Sequence, residues 1–176
     1  DVCHELIFLE NVSKIKENKY IITVDDIRID GSKLVYTMPF AQCSLRDKVY
    51  SADSITVDQV EEWSLQIAKG LHFLHKRKII HADIKPGNIL LVDGVIKIAD
   101  FGKVTMLQTE MVYPQGTTTY TPLRMFLKKN EQQWGFEADL WAFGCTIMEL
   151  LIRDVFIAAK GKIKKKKDLS GNTVYF

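Results

Sequence analysis

Two short apolar runs, residues 89–92 and 95–99, meet at Asp93-Gly94. That dipeptide is a strong hairpin signal, because a tight turn of this kind wants residues that tolerate a left-handed backbone. The pairing constrains everything around it. The stretch His81-Ala82-Asp83-Ile84-Lys85-Pro86-Gly87-Asn88 borders the first run, and Asp100-Phe101-Gly102 follows the second. Closing the hairpin therefore brings Asn88 near Asp100. Asp83 and Lys85 lie a few residues upstream of Asn88. Two carboxylates, an amine and an amide are expected to converge by local geometry alone.

The spacing reads H-x-D-x-K-x-x-N, then D-F-G beginning twelve residues after Asn88. It resembles the catalytic loop and metal loop of the protein kinase family. The resemblance implies an α+β, protein-kinase-like fold: a mainly helical C-lobe and a remnant of the N-lobe antiparallel sheet. It implies transfer of the ATP γ-phosphoryl group to a protein hydroxyl with Mg²⁺. In that reading Asp83 accepts the hydroxyl proton and Lys85 neutralises the moving phosphate. Asn88 and Asp100 hold the metal. The chemistry suits these residue types. Mg²⁺ takes hard oxygen ligands, keeps several waters and needs only one or two protein oxygens beside the phosphates. The rest of the task is positioning and charge.

Further motifs carry the resemblance over residues 5–152. Leu34-Val35-Tyr36-Thr37-Met38-Pro39-Phe40-Ala41-Gln42-Cys43-Ser44-Leu45 is similar to a last N-lobe strand and hinge. It implies Thr37 at the gatekeeper position, Met38 and Phe40 offering backbone groups to adenine, and Ser44 near the ribose. Leu90 would floor the adenine pocket, and Lys85 would also touch the nucleotide. His81 and Phe101 would stack beneath Leu9. Gly116-Thr117-Thr118-Thr119-Tyr120-Thr121-Pro122 resembles the shelf that carries the substrate, with Thr117 bonding toward Asp83 and Lys85. Asp139-Leu140-Trp141-Ala142-Phe143-Gly144 resembles D-x-W-x-x-G, whose aspartate anchors the catalytic-loop backbone. Lys85 at two positions after Asp83 is the pattern of kinases that act on Ser or Thr.

Several positions depart from the family pattern. Ala82 stands where the family has an arginine that grips a phosphorylated activation loop, so control by such a phosphate is not expected. Leu123 stands where a glutamate is usual. No G-x-G-x-x-G loop and no V-A-I-K strand are found, although Glu5 sits where the lysine's partner would be. The chain accordingly reads as a piece of a longer kinase. The alternative is a catalytically silent kinase-like lobe acting as a decoy or scaffold binding module. A small-molecule phosphotransferase fits less well, because such enzymes do not usually carry these motifs together.

The expected organisation is an N-lobe remnant over 1–38, a hinge over 39–45, a shortened C-lobe over 46–159 and a basic tail over 160–176. Residues 1–12 read as a helix end. Residues 20–28 and 33–38 read as paired strands around Asp30-Gly31. A helix is predicted over 57–75, with Val60, Trp63, Ile67, Leu71 and Leu74 on its apolar face. Residues 103–122 read as a long surface loop, and 136–152 as a helix buried on most sides. Six lysines fall within 160–167, which reads as a solvated loop or tail rather than a nucleic-acid patch. A net charge of +2 likewise gives no reason to invoke nucleic acid or membrane. The longest apolar stretch, 140–148, is too short to span a bilayer. Cys3, Cys43 and Cys145 show neither pairing nor metal spacing, so a cytoplasmic location is expected, with the nucleus as the alternative. The expected partners are ATP and a protein with a Ser or Thr acceptor.

Overall fold

A computed structural model of the chain describes residues 2–51, 54–107, 117–122, 135–152, 165–167 and 173–175. The chain opens with helix α1 (Val2–Ser13), then strands β1 (Asp26–Asp30) and β2 (Lys33–Thr37). A short strand β3 (Cys43–Ser44) leads into helix α2 (Leu45–Tyr50) and the long helix α3 (Val57–His75). Strands β4 (Ile79–Ile80), β5 (Ile89–Val92), β6 (Val95–Ile98) and β7 (Thr105–Met106) follow, then helix α4 (Phe136–Ile152). Strands β8 (Lys165–Lys167) and β9 (Thr173–Tyr175) pair antiparallel near the end.

The β5–β6 hairpin forms as its sequence predicts. Val92 pairs with Val95 across the turn. Asp93 and Gly94 take φ of 49° and 75°, the left-handed pair that a type I′ turn requires. β3 adds to the other edge of β5, Cys43 opposite Leu91 and Ser44 opposite Leu90. Residues 42–44 are thereby sewn to the hairpin, Gln42 N donating to Leu91 O.

α3 is positioned by a reciprocal cap and by its apolar face. The Thr56 hydroxyl accepts from Gln59 N, and the Gln59 side chain accepts from Thr56 N, which satisfies two of the unpaired donors at the helix start. Val60, Trp63, Ile67, Leu71 and Leu74 are all buried, at the predicted spacing. They join Ile84, Ile89, Ile96, Ile98, Phe101 and residues of α1 and α4 in one core. Gly70 sits where α3 crosses β6. A Cβ there would lie 2.7 Å from Ile98 Cδ1 and 3.2 Å from the Tyr20 carbonyl. Ile98 is fully buried, so it cannot swing away. Overpacking of this kind costs about 1–3 kcal/mol, against a helix-propensity gain of about 1 kcal/mol. Gly70→Ala should therefore lower the urea midpoint, although the same change in an exposed helix would raise it. Gly70→Val should lower it further.

Four expectations need correction. The strand expected over 20–28 begins only at Asp26 and runs to Asp30. Residues 20–22 instead run beside β6, with a parallel bridge from Ile21 to Ile98 and bonds from Ile22 N to Ile98 O and Ile98 N to Tyr20 O. An apolar, β-branched run looks alike with either partner, and the buried edge of β6 won this one. The second strand ends at Thr37, one residue early. The stretch expected as a loop over 103–122 contains β7, paired with β4; its residues 108–116 lie outside the described ones. The tail expected as loop holds the β8–β9 ribbon.

Candidate active site

Asp83 is the most heavily bonded side chain of the cluster. Its Oδ1 accepts from Thr117 N at 2.9 Å and from the Thr117 hydroxyl at 2.8 Å. Its Oδ2 accepts from Lys85 Nζ at 2.7 Å, Lys103 Nζ at 3.0 Å and Asn88 Nδ2 at 3.3 Å. Burial alone would push this carboxyl up. The two ammonium groups and Thr117 outweigh it and hold Asp83 well below the usual carboxylate range. Lys85 also reaches the Thr117 hydroxyl at 3.0 Å, the contacts its resemblance implied.

Asn88 spends its amide NH₂ on Asp83, chiefly on the backbone carbonyl at 2.9 Å. Its Oδ1 lies on the other side of the amide, where no donor among the described residues reaches it, and can accept or coordinate. Across the hairpin, Ala99 N donates to Asn88 O at 2.9 Å. Asp100 is the next residue, exposed, with φ +64°, and its Oδ1 accepts from Gly102 N at 3.4 Å. One carboxylate and one amide oxygen are thus carried on neighbouring strand ends. Both are hard oxygen donors, and that set fits Mg²⁺ better than a soft metal.

The loop that carries Asp83 hangs from α4. Asp139 is buried, and its Oδ1 accepts from Ala82 N at 2.9 Å. Its Oδ2 accepts from His81 N at 2.9 Å and pairs with His75 Nε2 at 2.8 Å. Ala82 has φ +63°, a left-handed conformation that costs a residue with a Cβ about 1–2 kcal/mol. The Asp139 bonds hold it there.

His81 is fully buried and packs edge-on to Phe101, ring centroids 5.0 Å apart. Asp83 N donates to its Nδ1 and Ala99 O lies 3.0 Å from its Nε2. Those partners select the neutral tautomer with the proton on Nε2. Burial pushes its pKa down, and the nearby Asp139, Asp83 and Asp100 charges only partly oppose this. The unfolded chain, with His81 near its ordinary value of about 6.5, then binds the proton that the folded chain refuses. Stability should fall as pH drops below about 6.5, by up to about 1.4 kcal/mol per unit from this residue. Urea midpoints between pH 5 and 8 check this: His81→Gln should flatten the slope, whatever it does to the midpoint itself.

The residues expected on the nucleotide side are spread over two sheets: Thr37 ends β2 of the β1–β2 pair, whereas Ser44 and Leu90 belong to the β3–β5–β6 sheet. Ser44 stands opposite Leu90 in register. Its hydroxyl caps α2, accepting from Asp47 N and donating to Asp47 Oδ2. Thr37 ends β2, and its carbonyl accepts from Asp25 N. Met38 and Phe40 are exposed, Phe40 at 84%. Glu5 Oε1 accepts from Phe101 N at 3.2 Å, which ties α1 to the D-F-G turn. Phe8 adds a ring contact to Phe101 at 4.6 Å. Gly116, read above as part of the substrate shelf, and Leu123, read as standing where a glutamate is usual, lie outside the described residues.

Lys103 was not anticipated. Twenty residues separate it from Asp83, and the only sequence signal is that it directly follows D-F-G.

Small antiparallel sheets set against a helical body hold this polar cluster beside the β5–β6 hairpin. The sequence matches the protein kinase domain family over residues 1–175, and the chain belongs to that family. It is 26% identical over 166 residues to the probable serine/threonine-protein kinase KIN28 homolog of Encephalitozoon cuniculi (strain GB-M1), covering 92% of this chain and 53% of that one. It is 32% identical over 158 residues to mitogen-activated protein kinase kinase kinase 1b of Physcomitrium patens, covering 86% and 19%. Among solved structures, a chain of the yeast RNA Pol II CTD kinase CTDK-1 complex superimposes with a TM-score of 0.79 at 25% identity, covering 91% of this chain and 52% of that one. The chain spans about half the length of the first of these relatives. Among the described residues, no helix is long and apolar enough to cross a membrane.

Proposed function

We propose that this chain is the catalytic part of a serine/threonine protein kinase, acting in the cytoplasm or nucleus. Asp83 orients the acceptor hydroxyl and Lys85 steadies the phosphate in flight. Asn88 and Asp100 would hold Mg²⁺, which when bound supplies positive charge against the phosphate oxygens. Thr37, Met38, Phe40, Ser44 and Leu90 would frame the nucleotide. One observation carries the reading: Asp83, Lys85, Thr117 and Asn88 form a single bonded cluster, and a hydrogen bond from Ala99 N to Asn88 O joins it to the residue before Asp100. The Ser/Thr preference is supported by Lys85 and by the similarity to the probable serine/threonine-protein kinase of Encephalitozoon cuniculi.

A thermal-shift titration with Mg-ATP, with EDTA as control, gives the direct test. Saturating nucleotide at about 100 times Kd adds about 2.7 kcal/mol, a shift of several degrees. The shift should vanish with EDTA. Incubation with γ-labelled ATP and a basic protein should then label serine or threonine. No shift and no label would favour the silent binding module.

A further inference from the structure

We propose that the hollow between the 17–20 segment and the last two turns of α3 docks an extended acidic segment of a partner protein. The hollow, of about 410 Å³, is lined by Lys19, Tyr20, Lys69, Phe73, Lys76 and Arg77, with Glu17 as its one carboxylate. It lies away from Asp83 and Asp100, and its role does not depend on phosphoryl transfer. Basic residues late in a helix are ordinary, since they complement the negative end of its dipole. That accounts for Lys76 and Arg77. It does not account for Lys19, which comes from another segment and brings its ammonium to the same Tyr20 ring as Lys69, at 5.5 Å and 5.9 Å from the centroid. Lys97 of β6 donates to Lys19 O at 2.6 Å and adds a fifth cation at the border. Among the described residues, none of these five cations has a carboxylate within ion-pair distance. Like charges gathered from three elements and left unpaired call for an anion from outside.

The arrangement favours a peptide over a compact phosphate. Arg77, the one guanidinium able to clasp a phosphate bidentately, is already committed: it bonds Phe73 O at 3.0 Å and covers the Phe73 ring at 3.8 Å. Lys69 and Lys76 lie seven residues apart, about 10 Å along the axis. An extended chain covers that distance in about three residues. Alternating acids put their carboxylates on one face, within reach of the flexible lysine stems, while Tyr20 and Phe73 offer an apolar floor.

The test uses fluorescence anisotropy with a fluorescein-labelled peptide of twelve alternating Glu and Ala residues. Saturable binding is expected in 50 mM salt, weaker at 200 mM. Lys69→Glu with Lys76→Glu should weaken it at least tenfold. Lys14→Glu with Lys33→Glu, an equal charge change elsewhere, should weaken it less than threefold. All four residues are exposed, and the one ion pair lost, Lys14–Glu10, is a surface pair of the kind that contributes little to folding. Equal loss in the two pairs would overturn the proposal, because net charge alone would then explain binding. Displacement by micromolar inorganic pyrophosphate at matched ionic strength would overturn it in favour of a small-anion site. Tighter, Lys69- and Lys76-dependent binding of a single-stranded RNA oligonucleotide would overturn it in favour of nucleic acid.

Discussion

Asp139→Ala is expected to lose about 3–5 kcal/mol of folding stability, in the range for removing one partner of a buried charged network. The carboxylate is 1% exposed and satisfies two backbone N–H groups, those of His81 and Ala82, together with His75 Nε2. Alanine would leave both N–H groups buried without an acceptor, at about 1–3 kcal/mol each. The left-handed Ala82 would also lose what holds it. Relaxation of Ala82 to a right-handed backbone would swing Asp83 out of its cluster. Asp139→Asn should cost less, because the amide oxygen still accepts one of the two N–H bonds. Urea unfolding at pH 7, with an unchanged slope, is the measurement. A loss below 1 kcal/mol for alanine would mean that α4 does not hold the loop.

The parts of this architecture that were legible in the sequence are those decided locally. Asp93-Gly94 could be read because only a few residue types accept two successive left-handed positions. α3 could be read because its buried residues recur at helical spacing, with acids early in the segment and basic residues late. The 20–28 error has a different origin. Lys19 to Val24 carries the same apolar signal whether it pairs with the next strand or lies beside β6, and only the tertiary partner decides. α2 was missed although its signal was present: Ser44 and Asp47 form a capping box, but six residues give too little periodicity to draw attention. The site shows the same division. Asp83, Lys85, Asn88 and Asp100 could be named because their spacing is a motif. Lys103 could not, since its contact with Asp83 is made by the turn of the chain after Phe101 and leaves no pattern in the residues themselves.

Asp83→Asn and Asp100→Asn should separate the two halves of the proposed chemistry. Asparagine at 83 keeps the shape and an acceptor for Thr117, but its amide nitrogen faces two ammonium groups or loses them, and it cannot take a proton from a hydroxyl. Transfer should fall about 10²–10⁴-fold, the usual worth of a positioned general base. The Mg-ATP thermal shift should survive, because Asp83 is not asked to hold metal. Asparagine at 100 removes the one exposed carboxylate on the strand end, so both the shift and the transfer should be lost. The pH profile adds a further constraint. Asp83 is held below the usual carboxylate range, so it stays ionised from neutral pH down to at least pH 4, and its own titration cannot shape activity there. Any acid-side loss between pH 5 and 7 must come from another group. Lys103→Met supplies the counter-case: it frees one ligand of Asp83 Oδ2 while Lys85 remains. It should raise the carboxyl toward its ordinary value and leave the nucleotide shift intact. If Asp83→Asn instead transferred phosphate at the parent rate, the base would have to be sought elsewhere, and the bonded cluster around Asp83 would be structural only.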